Sequence, residues 1–224
     1  MSPDPKESEI KVILTDEDVG LLRARLGDPG RTLRQISYFF ETPQDHLAKA
    51  ELSLRVREEH DVTSGDEQIL LTVKGMGLRA GALMVRPEIE CQLDPADWSG
   101  LRDKQIHFAD VDLPPVHRLQ QALGDIRPLD LESMGHIENT REVFEFSHDN
   151  LALEILLDRT KYPDGTAEFE MESELSQAMA GRGARALRGL FEEIGIEWRP
   201  SPVGKYVRFR RKIDRDPDAV RGDS

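Results

Sequence analysis

Glu7-Ser8-Glu9-Ile10-Lys11-Val12 is the stretch on which the reading of this chain turns. In an extended strand, side chains two apart share a face, so Glu7, Glu9 and Lys11 point one way and Ile10 and Val12 the other. Acid and base then share one wall. The layout recurs as Arg55 and Arg57 in Leu52-Ser53-Leu54-Arg55-Val56-Arg57, as Lys74 in Leu70-Leu71-Thr72-Val73-Lys74, and as Arg86, Glu88 and Glu90 in Arg86-Pro87-Glu88-Ile89-Glu90. It returns in Glu168-Phe169-Glu170-Met171-Glu172, where Glu172 reads as the weakest member, at the rim. On any one strand such alternation describes a solvated face whose ion pairs contribute little. Repeated in order along the chain, it describes a wall arranged to hold a highly charged ligand together with metal ions.

Working outward, strands are expected near 6–14, 32–41, 51–60, 67–76 and 83–92, then near 129–147, 151–161 and 166–174. Helices are expected near 16–26 behind Thr15, after Asp94-Pro95, near 115–123, and from an N-cap at Ser176 to about Ile194. The residues opposite the charges are apolar (Ile10, Val12, Leu54, Val56, Leu71, Val73, Phe169, Met171), and amphipathic helices can cover them. The expected fold is therefore α+β, an eight-stranded antiparallel closed β-barrel with a charged interior and helices outside. One domain over 1–213 and a disordered polar tail over 214–224 complete the expectation. Pro87 implies a strand start or a bulge, since proline cannot donate to a ladder.

The 224 residues carry a net charge of −13, with 33% charged and 38% hydrophobic residues, a balance that suits a water-soluble globular chain. That excess of acid argues against general affinity for nucleic acid or an anionic membrane, so a polyanion would have to enter a local basic site. A single cysteine, Cys91, rules out an internal disulfide, and with no apolar signal or spanning run a cytoplasmic location is expected. The six histidines lack metal-ligand spacing, and Gly75-Met76-Gly77 reads as a simple turn, because the Gly-Lys-Ser/Thr ending of a phosphate loop is missing. A basic tail segment is the plain reading of Lys205-Tyr206 with Arg208, Arg210, Arg211 and Lys212.

Glu7-x-Glu9-x-Lys11, Leu54-Arg55-Val56-Arg57, Thr72-Val73-Lys74-Gly75, Arg86-x-Glu88-x-Glu90, Arg141, Asp158, Glu168-x-Glu170 and Lys205-Tyr206 together resemble the CYTH superfamily of triphosphate tunnel metalloenzymes. Ser37-Tyr38-Phe39-Phe40-Glu41-Thr42-Pro43 resembles a further family strand, with glutamate where the family carries aspartate. The resemblance implies a tunnel that binds triphosphates with a divalent metal, Mg2+ or Mn2+. Carried over by position, Lys11, Arg55, Arg57, Lys74, Arg86, Arg141 and Lys205 would hold phosphate oxygens. Glu7, Glu9, Asp158, Glu168 and Glu170 would hold metal, Glu88 and Glu90 would support them, and Glu7, Glu9, Lys11 and Glu170 would form the catalytic centre. Independently, arginine suits two-point contact with phosphate, and magnesium takes one or two carboxylates plus phosphate and water.

The expected function is metal-dependent hydrolysis of a small triphosphate, inorganic tripolyphosphate first and thiamine triphosphate next. A class IV adenylate cyclase and a non-catalytic polyphosphate or nucleotide sensor are the alternatives. A small triphosphate is the expected partner, and a homodimer is left open.

Overall fold

The computed structural model describes residues 6–127 and 129–214, with side chains from Ser8 onward. Antiparallel strands form one sheet: β1 (Lys6–Leu14), β2 (Arg31–Glu41), β3 (Ser53–Asp61), β4 (Glu67–Lys74), β5 (Leu78–Ala80), β6 (Leu83–Gln92), β7 (Glu132–His148), β8 (Leu151–Lys161) and β9 (Ala167–Glu174). Their order is β1-β9-β8-β7-β2-β3-β4-β6-β5, and β1 also pairs with β6. That pairing closes an eight-stranded barrel, with β5 as an added edge beside β6.

The barrel is inverted, as the alternation requires. Helices α1 (Asp16–Leu26) and α5 (Ala180–Ile194) cover Ile10, Val12, Ile155, Leu157 and Met171 from outside, with Leu187, Leu190 and Phe191 buried against them. Helices α3 (Pro95–Arg102) and α4 (Pro114–Leu123) cover Leu54, Val56, Leu71 and Val73 through Trp98, Val116 and Leu119. Burying each such side chain stabilises the fold by roughly 1.5–3 kcal/mol, so the apolar core holds the barrel from outside. The interior is left to charge.

Several local features are explained by their neighbours. Thr15 and Asp18 form a reciprocal capping box at the start of α1. Helix α5 begins after Met179, not at Ser176, whose carbonyl instead accepts the Met179 N–H in a turn. Pro87 is neither at a strand start nor in a bulge: it lies mid-strand in β6, between the stretch paired with β4 from Glu88 and the stretch paired with β5 up to Val85. Its missing N–H falls where that ladder is interrupted, and its carbonyl accepts from Gly75. The tail beyond Asp214 and the Glu7 side chain lie outside the described residues.

Two α-helices were not expected. Helix α2 (His46–Lys49) is organised from a distance by Glu41, which is buried and accepts from the backbone N–H groups of Leu47 and Ala48, each at 2.9 Å. Helix α6 (Lys205–Ile213) replaces the basic tail. Its Phe209 is fully buried against Phe39, Ile137 and Tyr162, which anchors the helix across one end of the barrel.

Candidate active site

Inside the barrel lies a cavity of about 500 Å³. All seven cations expected to hold phosphate line it: Lys11, Arg55, Arg57, Lys74, Arg86, Arg141 and Lys205, joined by Arg210. The carboxylates on its described wall are Glu9, Glu51, Glu88, Glu90, Glu172 and Glu174. Cations therefore outnumber carboxylates here, in a chain that is acidic as a whole.

The two sides of the cavity differ in how those charges are matched. On the β1–β9–β8 side each cation is over-matched. Glu172 is 4% exposed, meets Lys11 and Arg141 at 2.6 Å each, and meets Lys205 at 2.5 Å. This overturns its placement at the rim. Lys205 also reaches Asp158 at 2.8 Å and Glu170 at 3.0 Å, and Arg141 makes a two-point contact with Asp158. Burial works against charge throughout this cluster, but the opposite charges win. The ammonium of Lys11 is held above its ordinary range by Glu172 and Glu9, and that of Lys205 by Asp158, Glu170 and Glu172. Arg141 and Lys205 pull the Asp158 carboxyl down to about 2, and Lys11, Lys205 and Arg141 hold Glu172 well below the carboxylate range.

On the β3–β4–β6 side Arg55 and Arg57 are under-matched. Arg55 reaches Glu90 at 3.1 Å and Thr72 at 3.2 Å, while Arg57 approaches Glu59 and Glu90 only to 3.7 Å. Burial, and then the neighbouring Arg57, push the Arg55 guanidinium down to about 10 despite Glu90 and Glu88. The Nε–H groups of Arg55 and Arg57 are buried without a hydrogen-bond partner among the described residues. Lys74 pairs with Glu88 at 2.7 Å and Arg86 with Glu9 at 2.9 Å.

Not every expected metal ligand faces the cavity. Glu168 and Glu170 hold α6 through Arg208, and Glu168 also meets Lys212. Asp158 is enclosed by Arg141, Lys205 and Asn139. The carboxylates of β9 that line the cavity are instead Glu172 and Glu174, further along the same alternation. Glu174 faces Glu9 directly across the β1–β9 pair, and Lys11 faces Glu172. No three carboxylates or imidazoles among the described residues form a ready-made ion cage. Glu154, which shares strand spacing with Asp158 and reads from sequence as a ligand, a partner for Arg141 or a structural carboxylate, lies out on the surface near Arg31. The Gly75-Met76-Gly77 turn proves to be cavity wall. A Cβ on Gly77 would stand 2.5 Å from the Met84 sulfur and 3.1 Å from the Val85 carbonyl, so only glycine lets this loop lie so close to β6.

The acid limb of stability follows from this cluster. Asp158 titrates at about 2 folded against an ordinary 3.8, so its contribution is complete above 3.8 and is lost as pH falls towards 2. That one group accounts for roughly 2 kcal/mol, and Glu170 and Glu172 shift the same way. Denaturant midpoints measured between pH 7 and pH 2.5 are expected to hold down to about pH 5 and then fall. A flat profile would show that these carboxylates are not ion-paired.

A closed barrel with a charged, helix-plugged interior defines a class of protein, and the CYTH domain matches residues 5–197 of this chain. The chain belongs to the CYTH family. HpAC1 from Hippeastrum, named as an adenylyl cyclase candidate with a dominant triphosphatase activity, superposes with a TM-score of 0.78 at 22% identity, covering 92% of this chain and 96% of that one. A Bacillus halodurans protein named as an adenylate cyclase candidate gives 0.67 at 19% identity over 91% and 98%, and a Pyrococcus horikoshii protein 0.62 at 18% over 92% and 99%. At these identities the likeness is one of fold. No curated protein sequence matches the chain, and no described helix is long and apolar enough to cross a membrane.

Proposed function

We propose that this protein is a divalent-metal-dependent triphosphatase that cleaves a phosphoanhydride bond of a small triphosphate. The observation that carries the reading is the under-matched wall. Arg55 and Arg57 keep buried, unpartnered N–H donors in a cavity with surplus positive charge, and such donors are costly unless an anion accepts from them. Inorganic tripolyphosphate is the minimal ligand that such a clamp fits, and thiamine triphosphate the next. HpAC1, which shares the fold, is named for a dominant triphosphatase activity, and this supports the reading.

The donor set suits a hard divalent ion. Glu9 and Glu174 oppose each other across β1 and β9, with Glu172 next on the same face, and although Arg86 and Lys11 already pair with Glu9, these carboxylates supply the hard oxygen donors that a divalent ion takes. Magnesium or manganese held by Glu9, Glu172 and Glu174 would complete its shell with phosphate oxygens and water. When bound, the ion supplies charge neutralisation and polarisation at phosphate. The protein's own cations neutralise and align the chain, so that water can attack a terminal phosphorus in line as the bridging P–O bond breaks. Lys11, held protonated well past neutral pH, acts as a fixed charge and not as a base.

Incubating the protein with tripolyphosphate, thiamine triphosphate and ATP, each with Mg2+ or Mn2+, and identifying products tests the proposal. Orthophosphate is the expected product. Cyclic AMP and pyrophosphate from ATP would establish a cyclase instead, and binding without turnover a sensor. Arg57→Ala and Lys74→Ala are each expected to raise KM, or the Kd in a binding assay, roughly 10- to 100-fold, since a charge-assisted contact is worth about 1.5–3 kcal/mol. Arg57→Ala should leave melting almost unchanged, because its ion pairs are long and its removal relieves Arg55. A large loss of stability with an unaltered KM would make Arg57 a structural residue.

A further inference from the structure

We propose a second binding site on this chain, outside the barrel, for a planar aromatic ring that carries a phosphate, the chemistry of a nucleoside monophosphate. It lies in a cleft on the outer face of β2 and β7, between helix α3 and the turn that joins β8 to β9. It does not depend on the triphosphatase reading.

The cleft exists because the covering helices stop short. Helices α3 and α4 lie over the outward side chains of β3 and β4, and beyond Trp98 the outer face is left open at Tyr38 and its cross-strand partner His136. The space measures about 520 Å³, which falls within the range typical of small-ligand sites. Rings stand along its floor: Tyr38 is 5.1 Å from Trp98 and 5.5 Å from His136 between centroids. Glu58 fixes two of them, accepting from the Trp98 indole N–H at 2.6 Å and from the Tyr38 hydroxyl at 3.2 Å. Burial, and then Glu58, push that hydroxyl up to about 12, so it stays a donor. With these polar edges taken, the rings have their faces to offer, which suits stacking by a heteroaromatic base.

The backbone beside the rings is irregular. Phe39 pairs with Gly135 but Phe40 with Ser133, so Met134 is a bulge in β7, and Gly135 takes a φ of 108° that favours glycine. Ser133 and Gly135 both line the cleft. Bulges leave a residue out of the ladder and recur beside active sites.

The rim is basic although the chain carries −13 overall. Arg102, Lys104 and Lys161 line the cleft against one carboxylate, Glu138. Lys161 approaches Glu138 only to 3.7 Å, Arg102 approaches Glu58 and Asp103 only to 3.8 Å, and Lys104 has no ion-pair partner among the described residues. Long, exposed pairs of this kind contribute little, so the three cations are open to a phosphate. A bare phosphate would leave the rings unused, and an uncharged ring would leave the cations unused.

Calorimetric titration of the full chain with AMP, adenosine and ribose 5-phosphate tests the site. AMP is expected to bind at least tenfold more tightly than either fragment, since each fragment engages one half of the cleft. Lys104→Ser and Lys161→Ser, both at exposed positions, should each weaken AMP binding at least fivefold without a change in melting. His136→Leu should lower the preference for AMP over ribose 5-phosphate, and Arg57→Ala, inside the barrel, should leave AMP binding unchanged. Absence of saturable AMP binding overturns the proposal, and so does a fragment that binds as tightly as AMP. AMP binding lost in Arg57→Ala but kept in Lys104→Ser and Lys161→Ser would place the nucleotide in the barrel and overturn it as well.

Discussion

Glu172→Gln is expected to cost the protein about 3–5 kcal/mol of stability, a large share of what holds a domain of this size together, and to reduce triphosphate turnover below detection. The Glu172 carboxylate is the common partner of Lys11, Arg141 and Lys205, at 2.5–2.6 Å from each. Glutamine keeps the volume but removes the charge, leaving buried Lys11 and partly buried Arg141 and Lys205 repelling one another across the space one carboxylate had occupied. Asp158 and Glu170 still hold Lys205, and Asp158 still holds Arg141, so a weakened fold is expected, not its abolition. Urea unfolding of both proteins measures the loss. Tripolyphosphate should recover more stability in the variant than in the wild type, because a polyanion can stand in for the missing charge. A variant as stable as wild type would mean that the hub is not an ionic anchor.

The same residue shows how far the chain can be read without coordinates. The period-two alternation exposed the inverted barrel because strand geometry forces neighbouring side chains to opposite faces, whatever the partner strands are. Lys11, Arg55, Arg57, Lys74 and Arg86 were legible for that reason, whereas Arg141 and Lys205, the latter on helix α6, came from the family resemblance alone. Depth along the tunnel was not. Glu168, Glu170, Glu172 and Glu174 are chemically identical on one strand, and only the register of β9 on β1, with Lys11 facing Glu172 across 161 positions of sequence, decides which of them meet the cavity. Helix α6 was hidden for a different reason. Its apolar residues Tyr206, Phe209 and Ile213 follow helical spacing, but they sit among five basic residues and resemble a charged tail until Phe39 and Ile137 supply the surface they pack on. Helix α2 depends on Glu41, several positions upstream, to accept its N–H groups, which no local propensity reports. The glutamate that departs from the family's aspartate pattern is thus a structural acceptor for α2.

Tripolyphosphate with Mg2+ is expected to raise the melting temperature by about 5–10 °C at a hundredfold excess over its Kd. Linkage gives about 2.7 kcal/mol at that excess, and each kcal/mol moves the midpoint of a domain of this size by roughly 2–4 °C. Orthophosphate should do much less, since it can engage only a fraction of the cations spread from Lys74 and Arg86 to Arg141. The gain should shrink with Arg57→Ala, because the under-matched side of the cavity is where an anion relieves repulsion between Arg55 and Arg57 as well as adding contacts. It should shrink again when Mg2+ is chelated, because the ion that Glu9, Glu172 and Glu174 would hold then no longer offsets charge between those carboxylates and the polyanion. Differential scanning fluorimetry at fixed ionic strength separates these contributions. Sulfate stabilising as strongly as tripolyphosphate would reduce the cavity to a generic basic cleft, and equal shifts with and without chelator would remove the metal from the site while leaving the phosphate clamp intact.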